Sequence, residues 1–163
     1  MTIRHALSKD FKAFYDINFQ VDTYHRLAVP SKFRKPPKDF DYEKFMLNKF
    51  SNFLNDKSCI FLVAVEDGVD TILGYLIALK KSIPDYPILI PRQYILVDNM
   101  CVHENVRQQG IGSLLLQKIE EEAIIAGCSS IKLNVYNFNE GAKKLYINRG
   151  FEPMMQQMQK EIE

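Results

Sequence analysis

What this chain has little of narrows its role before any motif is considered. Its cysteines are only three, Cys59, Cys101 and Cys128, an odd number at wide spacing. That pattern suits buried thiols in a reducing compartment better than disulfides or a zinc site. Charge of one sign is missing too: the formal net charge is +1, which gives no electrostatic support to nucleic-acid binding. No apolar run approaches the roughly 20 residues of a membrane span, and "MTIRHALSKDFKAF" has no hydrophobic signal core. No internal repeat or low-complexity segment occurs. Walker's G-x-x-x-x-G-K-[ST] is absent, and Leu115 stands where a dinucleotide fingerprint needs its third glycine. The expectation is a soluble, cytoplasmic protein without metal, membrane or nucleic-acid partners.

What is present is ordinary globular composition, 47% apolar and 25% charged, in 163 residues that suffice for one domain with a single core. The punctuation reads as a mixed α/β order. A short strand covers Ile3 to Leu7. Ser8 and Asp10 are cap-type residues before "FKAFYDINF", where Phe11, Phe14, Tyr15 and Phe19 have helical spacing. Val29 to Phe40 is basic and proline-marked, hence a loop. Asp41 to Leu54 returns to helical spacing through Phe45, Leu47, Phe50 and Leu54. Cys59 to Val65 and Thr71 to Leu79 form a hairpin. A proline-marked excursion leads to a strand from Tyr94 to about Val102, then a helix ending near Gly127. The strand "SIKLNV" follows, with Ile131, Leu133 and Val135 alternating. A helix from Glu140 to Asn148 and a final strand after Gly150 complete the expected order, a sheet with helices on its faces.

The informative stretch is "VHENVRQQGIGSLLLQKIEEEA". Each glycine inside a helix is roughly 1 kcal/mol worse than alanine. Gly110 and Gly112 instead stand where a helix begins, after a strand. One reading is a plain turn. The other is an anion cradle, with free backbone N–H groups and the positive end of the helix dipole facing a phosphate. The helix behind it is amphipathic: Leu115, Leu116, Ile119, Ala123 and Ala126 share a face, while Glu120 to Glu122 stay wet. Downstream, "LNVYNFNEGAKKLYINRGFEP" has Asn139 as a helix N-cap, with Ala142, Lys143 and Tyr146 above it on one face. Arg149 and Gly150 form a helix stop before Phe151.

Together, R-x-x-G-x-G at Arg107, Gly110 and Gly112 and the Asn139-to-Phe151 unit resemble the GCN5-related N-acetyltransferase (GNAT) superfamily. The resemblance runs from about Ile60 to the C-terminus; the first 55 residues match only loosely. It implies a mixed, mostly antiparallel, splayed central sheet flanked by helices, the acyl-CoA N-acyltransferase fold. It divides a single domain, 1–163, into acceptor-side helices and loops (1–58) and an acetyl-CoA-binding core (59–163). It also implies roles. Backbone amides across Arg107, Gln108, Gln109, Gly110, Ile111, Gly112 and Ser113 would hold the acetyl-CoA diphosphate. Met100 and Val102 would pair with the pantetheine arm, Asn139 would touch pantetheine or adenosine, and Tyr146 would sit beside the sulfur. Family members often carry a glycine and a base where this chain has Gln108 and Gln109, so backbone N–H groups carry more of the binding here.

The implied reaction is direct attack of an amine on a thioester. It needs an oxyanion donor, for which a free N–H near Met100 is available, and an acid for the thiolate, for which the Tyr146 phenol is suited. Tyr146 also reads as an aromatic filling the space between helix and sheet. Asp98, an acid in an apolar strand beside Asn99, is the candidate base; otherwise it is a sheet-surface acid facing solvent or an arginine. A water chain could replace it. His103 and Glu104 read as loop residues, and His25 as an exposed histidine or part of an acceptor pocket. The acceptor is then a small-molecule or peptide amine, and a homodimer is compatible with the family. Two other classes fit less well: a non-catalytic acyl-CoA-binding regulatory module, and an unrelated α/β interaction protein with a structural glycine turn.

Overall fold

The computed structural model describes residues 1–160 and 162. In chain order the elements are β1 (Thr2–His5), α1 (Phe11–Ala28), α2 (Tyr42–Asn55), β2 (Cys59–Val65), β3 (Ile72–Ile83), β4 (Arg92–Val102), α3 (Ile111–Ile125), β5 (Ser130–Leu133) and α4 (Glu140–Asn148). Five strands form one sheet in the order β1-β2-β3-β4-β5. Every pairing is antiparallel except β4 with β5, which is parallel. A parallel pair needs a crossover, and α3 is that crossover.

Each face of the sheet is covered, so the central strands are apolar on both sides rather than alternating with polar residues. On one face α1 and α2 bury Phe14, Ile17, Met46 and Phe50 against Phe61, Val63, Tyr75 and Ile77. On the other, α3 buries Ile111, Leu115, Leu116 and Ile119 against Leu62, Leu76, Ile95 and Val97. A polar chain crosses the first core. The Tyr75 hydroxyl donates to Asn18 Oδ1 at 3.0 Å, Asn18 Nδ2 donates to Asp22 Oδ2 at 3.2 Å, and the Tyr42 hydroxyl donates to Asp22. Buried groups of this kind are costly unless paired, and here they are.

Four details depart from the sequence reading. Among the described residues no strand follows Gly150: with φ at +83° that glycine turns Phe151 back onto the Tyr146 ring, and the methionines beyond are exposed. A strand there would have no buried face to fix its register. In α2 the inward face is Met46 and Phe50, one turn apart, while Phe45 and Leu47 are exposed. β5 ends at Leu133, leaving Val135 outside the ladder. α1 continues to Ala28, well past the aromatic-spaced segment, and that extra length carries the residues considered below.

Candidate active site

β5 accompanies β4 for four rungs only, from Tyr94 opposite Ser130 to Val97 opposite Leu133. On the other edge β4 stays paired with β3 as far as Val102. The strands part at Asp98, which is itself the extra residue of a bulge: Ile77 faces Asn99 and Ala78 faces Val97, so Asp98 has no opposite number. Met100 and Val102 therefore lie where β4 has one strand partner and an open side. One acceptor there is occupied, because Arg107 Nε donates to the Val102 carbonyl at 3.2 Å. Arg107 thus folds back on the strand and leaves the turn to the backbone.

The turn after β4 is held open by two residues with positive φ, Gln108 at +63° and Gly110 at +82°. The backbone N–H groups from Gln108 to Ser113 find no acceptor among the described residues. They belong to the turn and the first turn of α3, where the helix dipole is positive. Both glycines are explained, by different causes. A Cβ at Gly110 would meet nothing within 4 Å, so its requirement is conformational and the space above it is free. A Cβ at Gly112 would stand 2.9 Å from Leu145 Cδ2, so the glycine lets α3 and α4 approach closely without moving that side-chain end. Ile111 is buried between them and anchors the turn.

α4 begins as its sequence indicates: Asn139 Oδ1 accepts from Ala142 N–H at 3.2 Å, which leaves the amide nitrogen of Asn139 for another partner. Glu120 of α3 pairs with Arg149 at the far end, so this glutamate is not simply solvated as its position suggested. The two contacts fix Tyr146. Its ring packs against the α3 core and lies 5.8 Å from Phe151. Its hydroxyl has no hydrogen-bond partner among the described residues. Burial, with the neighbouring Cys101 second, pushes the phenol up to about 12. Cys101, on β4 beside the parting of the strands, is itself pushed up to about 12 by burial. Asp98 is exposed and makes no ion pair among the described residues, so no arginine holds it; its exposure fits a sheet-surface acid facing solvent as well as a base.

No local pattern marks how α1 is tied to the end of β4 and to the segment after β5. Gln20 of α1 accepts from the Glu104 backbone N–H at 3.0 Å, tying α1 to the end of β4. One turn on, His25 stacks on Phe33 of the 29–40 loop at 5.4 Å and meets Tyr136 and Phe138 edge-on at 5.5 and 5.9 Å. Lys32 Nζ lies 5.1 Å over the Tyr136 ring. This aromatic strap joins the N-terminal loop to the segment between β5 and α4. A row of aromatics in "YNF" and "TYH" was the available signal, but nothing local says that they meet.

The family model described as acetyltransferase (GNAT) family matches residues 20–151. The chain belongs to the GNAT acetyltransferase family. A point mutant of the BH1408 protein of Bacillus halodurans superposes on this GNAT chain with a TM-score of 0.90 at 25% identity, over 99% of both chains. An acetyltransferase from Agrobacterium tumefaciens shares the fold, with a TM-score of 0.70 at 18% identity over 99% of this chain and 100% of its own. Among curated proteins, the thialysine N-epsilon-acetyltransferase of Bos taurus is 38% identical over 52 residues, 32% of this chain. The L-ornithine N5-acetyltransferase of Arabidopsis thaliana is 24% identical over 149 residues, 91% of this chain. The chain spans 31% of the bovine protein's length and 50% of the Arabidopsis one's. Among the described residues no helix is long and apolar enough to cross a membrane.

The strap yields a pH test. Burial lowers the His25 pKa below its ordinary 6.5, with Asp22 opposing. The unfolded chain then binds more protons than the folded one just below pH 6.5, so stability rises with pH there and falls as pH drops through that window. His25→Phe keeps a ring in the strap and removes the proton. Melting temperature, followed from pH 7.5 to 5.5, should fall less in the variant than in the parent. Parallel curves would show that His25 titrates without cost.

Proposed function

We propose that this GNAT protein transfers the acetyl group of acetyl-CoA to a primary amine of a small molecule or peptide, by direct attack in a ternary complex. The observation that carries the reading is the row of unpartnered amides from Gln108 to Ser113, set beside the open side of β4 with Tyr146 next to it. Each part matches a demand of the reaction. Amides at a positive helix end suit a diphosphate. An unpaired strand edge suits an extended amide-containing arm, which adds as a short strand would. Residues 59–163 then form the acetyl-CoA side and 1–58 the acceptor side. The two curated relatives are named for acetylating amines of thialysine and ornithine, which supports an alkylamine acceptor.

The residues divide the chemistry as follows. The amine nitrogen forms its bond to the thioester carbonyl carbon, and a backbone N–H of the open edge near Met100 steadies the oxygen as it gains charge. The carbon–sulfur bond then breaks, and the Tyr146 hydroxyl gives its proton to the departing sulfur; the nitrogen sheds its surplus proton as the amide forms, and the tyrosinate recovers one through water. The attacking ammonium must first lose a proton, since an alkylamine with a pKa near 10.4 arrives charged. Asp98 takes it directly or through water; its exposure and lack of an ionic partner leave it free to do so. The Asn139 amide nitrogen, left over from capping, is available as a donor to acetyl-CoA.

Three outcomes test this division. Gly110→Asp keeps a residue type that tolerates a left-handed backbone, yet adds bulk and negative charge above the turn. Its acetyl-CoA dissociation constant should rise at least tenfold, about 1.4 kcal/mol, by titration calorimetry; an unchanged constant in the folded variant removes the turn from the site. Asp98→Asn should lower kcat/KM at neutral pH and alter the acid limb of its profile. A parent-like limb would leave Asp98 as a bulge residue only. Tyr146→Phe should lower kcat by about 10²–10⁴-fold, the usual worth of a general acid, with acetyl-CoA affinity and melting temperature near the parent's. A kcat within about threefold of the parent would take the hydroxyl out of the reaction.

A further inference from the structure

The side of the molecule that faces the acceptor holds a second built feature. α1 and the 29–40 loop enclose a cleft of about 170 Å³ lined by Phe19, Asp22, Arg26, Phe33, Arg34 and Tyr42. That is well below the roughly 300–1,000 Å³ of a pocket for a drug-sized ligand, which suits a small head group rather than a length of peptide. Its charges are unusual in being unspent. Asp22 receives hydrogen bonds from Asn18 and Tyr42, both on Oδ2, and no cation lies within ion-pair distance of it among the described residues. Arg26 donates only to the Thr23 hydroxyl, at 2.8 Å. Arg34 is exposed and has no partner among the described residues. A broader depression at the β2–β3 turn, by contrast, is lined by Asp67 and Asp70, which are already paired with the N-terminus, Arg4 and Lys9.

One carboxylate held in place by neutral donors and two guanidiniums without acids disfavour a simple anion and a polycation alike. They fit a zwitterion. We propose that this cleft reads the head group of a diamino acid, Asp22 taking its α-ammonium and Arg34, with Arg26, its carboxylate, while the side-chain amine extends to the open side of β4. The direction follows from a contact already described: Gln20, half a turn before Asp22, is bonded to the backbone just past β4. Phe33 belongs to both strap and cleft, so an occupied cleft and a closed strap share a wall. A guanidinium meets a carboxylate in a fixed fork, so removing it costs affinity for the carboxylate in particular.

This inference rests on the acetyl-transfer reading for its acceptor, and binding separates the two. The full chain with CoA bound is titrated calorimetrically with L-ornithine and L-lysine, and with putrescine and cadaverine, which lack only the carboxylate. At least one amino acid should bind tenfold or more tightly than its matched diamine. Asp22→Asn should weaken that amino acid at least tenfold. Because Asp22 also holds Tyr42, the deciding variant is Arg34→Ala, whose side chain bears on no other part of the fold. There the ratio of diamine to amino-acid dissociation constants should fall to within threefold of one. A ratio near one in the parent, its persistence in Arg34→Ala, or no binding of either amino acid overturns the proposal. Selective binding without acetyl transfer would support the head-group site and count against the acetyltransferase reading alone.

Discussion

Four parallel rungs tie β5 to β4, and the candidate site exists because they stop at Val97 and Leu133. Had the ladder continued to Val102, the N–H and C=O groups of β4 would be paired on both sides, and no extended ligand could add to them. The bulge at Asp98 contributes to the stop by shifting the strand half a pleat. Residues before it, Ile95 and Val97, pack toward α3, and Cys101 after it packs toward α1 and α2. A strand that changes its phase in this way increases its local twist and leaves its neighbour. The crossover helix α3 starts beyond the parting, so its free N-terminal amides follow closely on the unpaired stretch of β4. Position of the turn and existence of the slot are one consequence.

The opposite wall depends on a buried polar chain. Tyr75 lies fully buried at the centre of β3 and directs its hydroxyl to Asn18, which in turn directs its amide nitrogen to Asp22. Each step is short, neutral to neutral and then neutral to charged, so the chain fixes both the rotation and the height of α1 over the sheet. A helix held only by Phe14 and Ile17 could slide along the sheet at small cost. The hydrogen bonds remove that freedom and set Asp22 beside Tyr42 at the mouth of the cleft.

Legibility followed sequence distance. Gly110, Gly112 and the Asn139 cap were readable because each acts within a few residues of itself, through a positive φ, a close approach or an Asx bond. The helix limits Glu140 to Asn148 were equally local. The inward face of α2 was misread because Phe45, Leu47 and Phe50 are all apolar, and only the rings of Phe14 and Phe61 select Phe50 and its neighbour Met46. The supposed last strand was drawn from Gly-Phe alone, without a partner edge. Neither the bulge at Asp98 nor the meeting of His25 with Tyr136 has a local signature, since register and long-range contact are written across the whole chain. The two motifs that did most for the family resemblance thus bear on the proposed acetyl-CoA side and say nothing of the acceptor.

The proposed proton transfer from Tyr146 raises a question of matching. A phenol pushed up to about 12 gives its proton less readily than an ordinary one, and a thiolate in water is a much weaker base than that. In water the transfer would run uphill. Cys101 packs on the other face of β4, yet it lies near enough to be the second cause of the Tyr146 shift, and it shows the direction in which burial moves a sulfur. Its own thiol is pushed from 9.0 up to about 12, chiefly by burial. Desolvation penalises a compact thiolate and a phenolate together. Burial of a sulfur leaving beside Tyr146 would therefore raise its basicity in the same direction as the phenol's, and so narrow the gap that water leaves. On this argument the apolar packing of α4 against α3 does not hinder the acid. It raises donor and acceptor together, and general acid catalysis is most effective when the two are close.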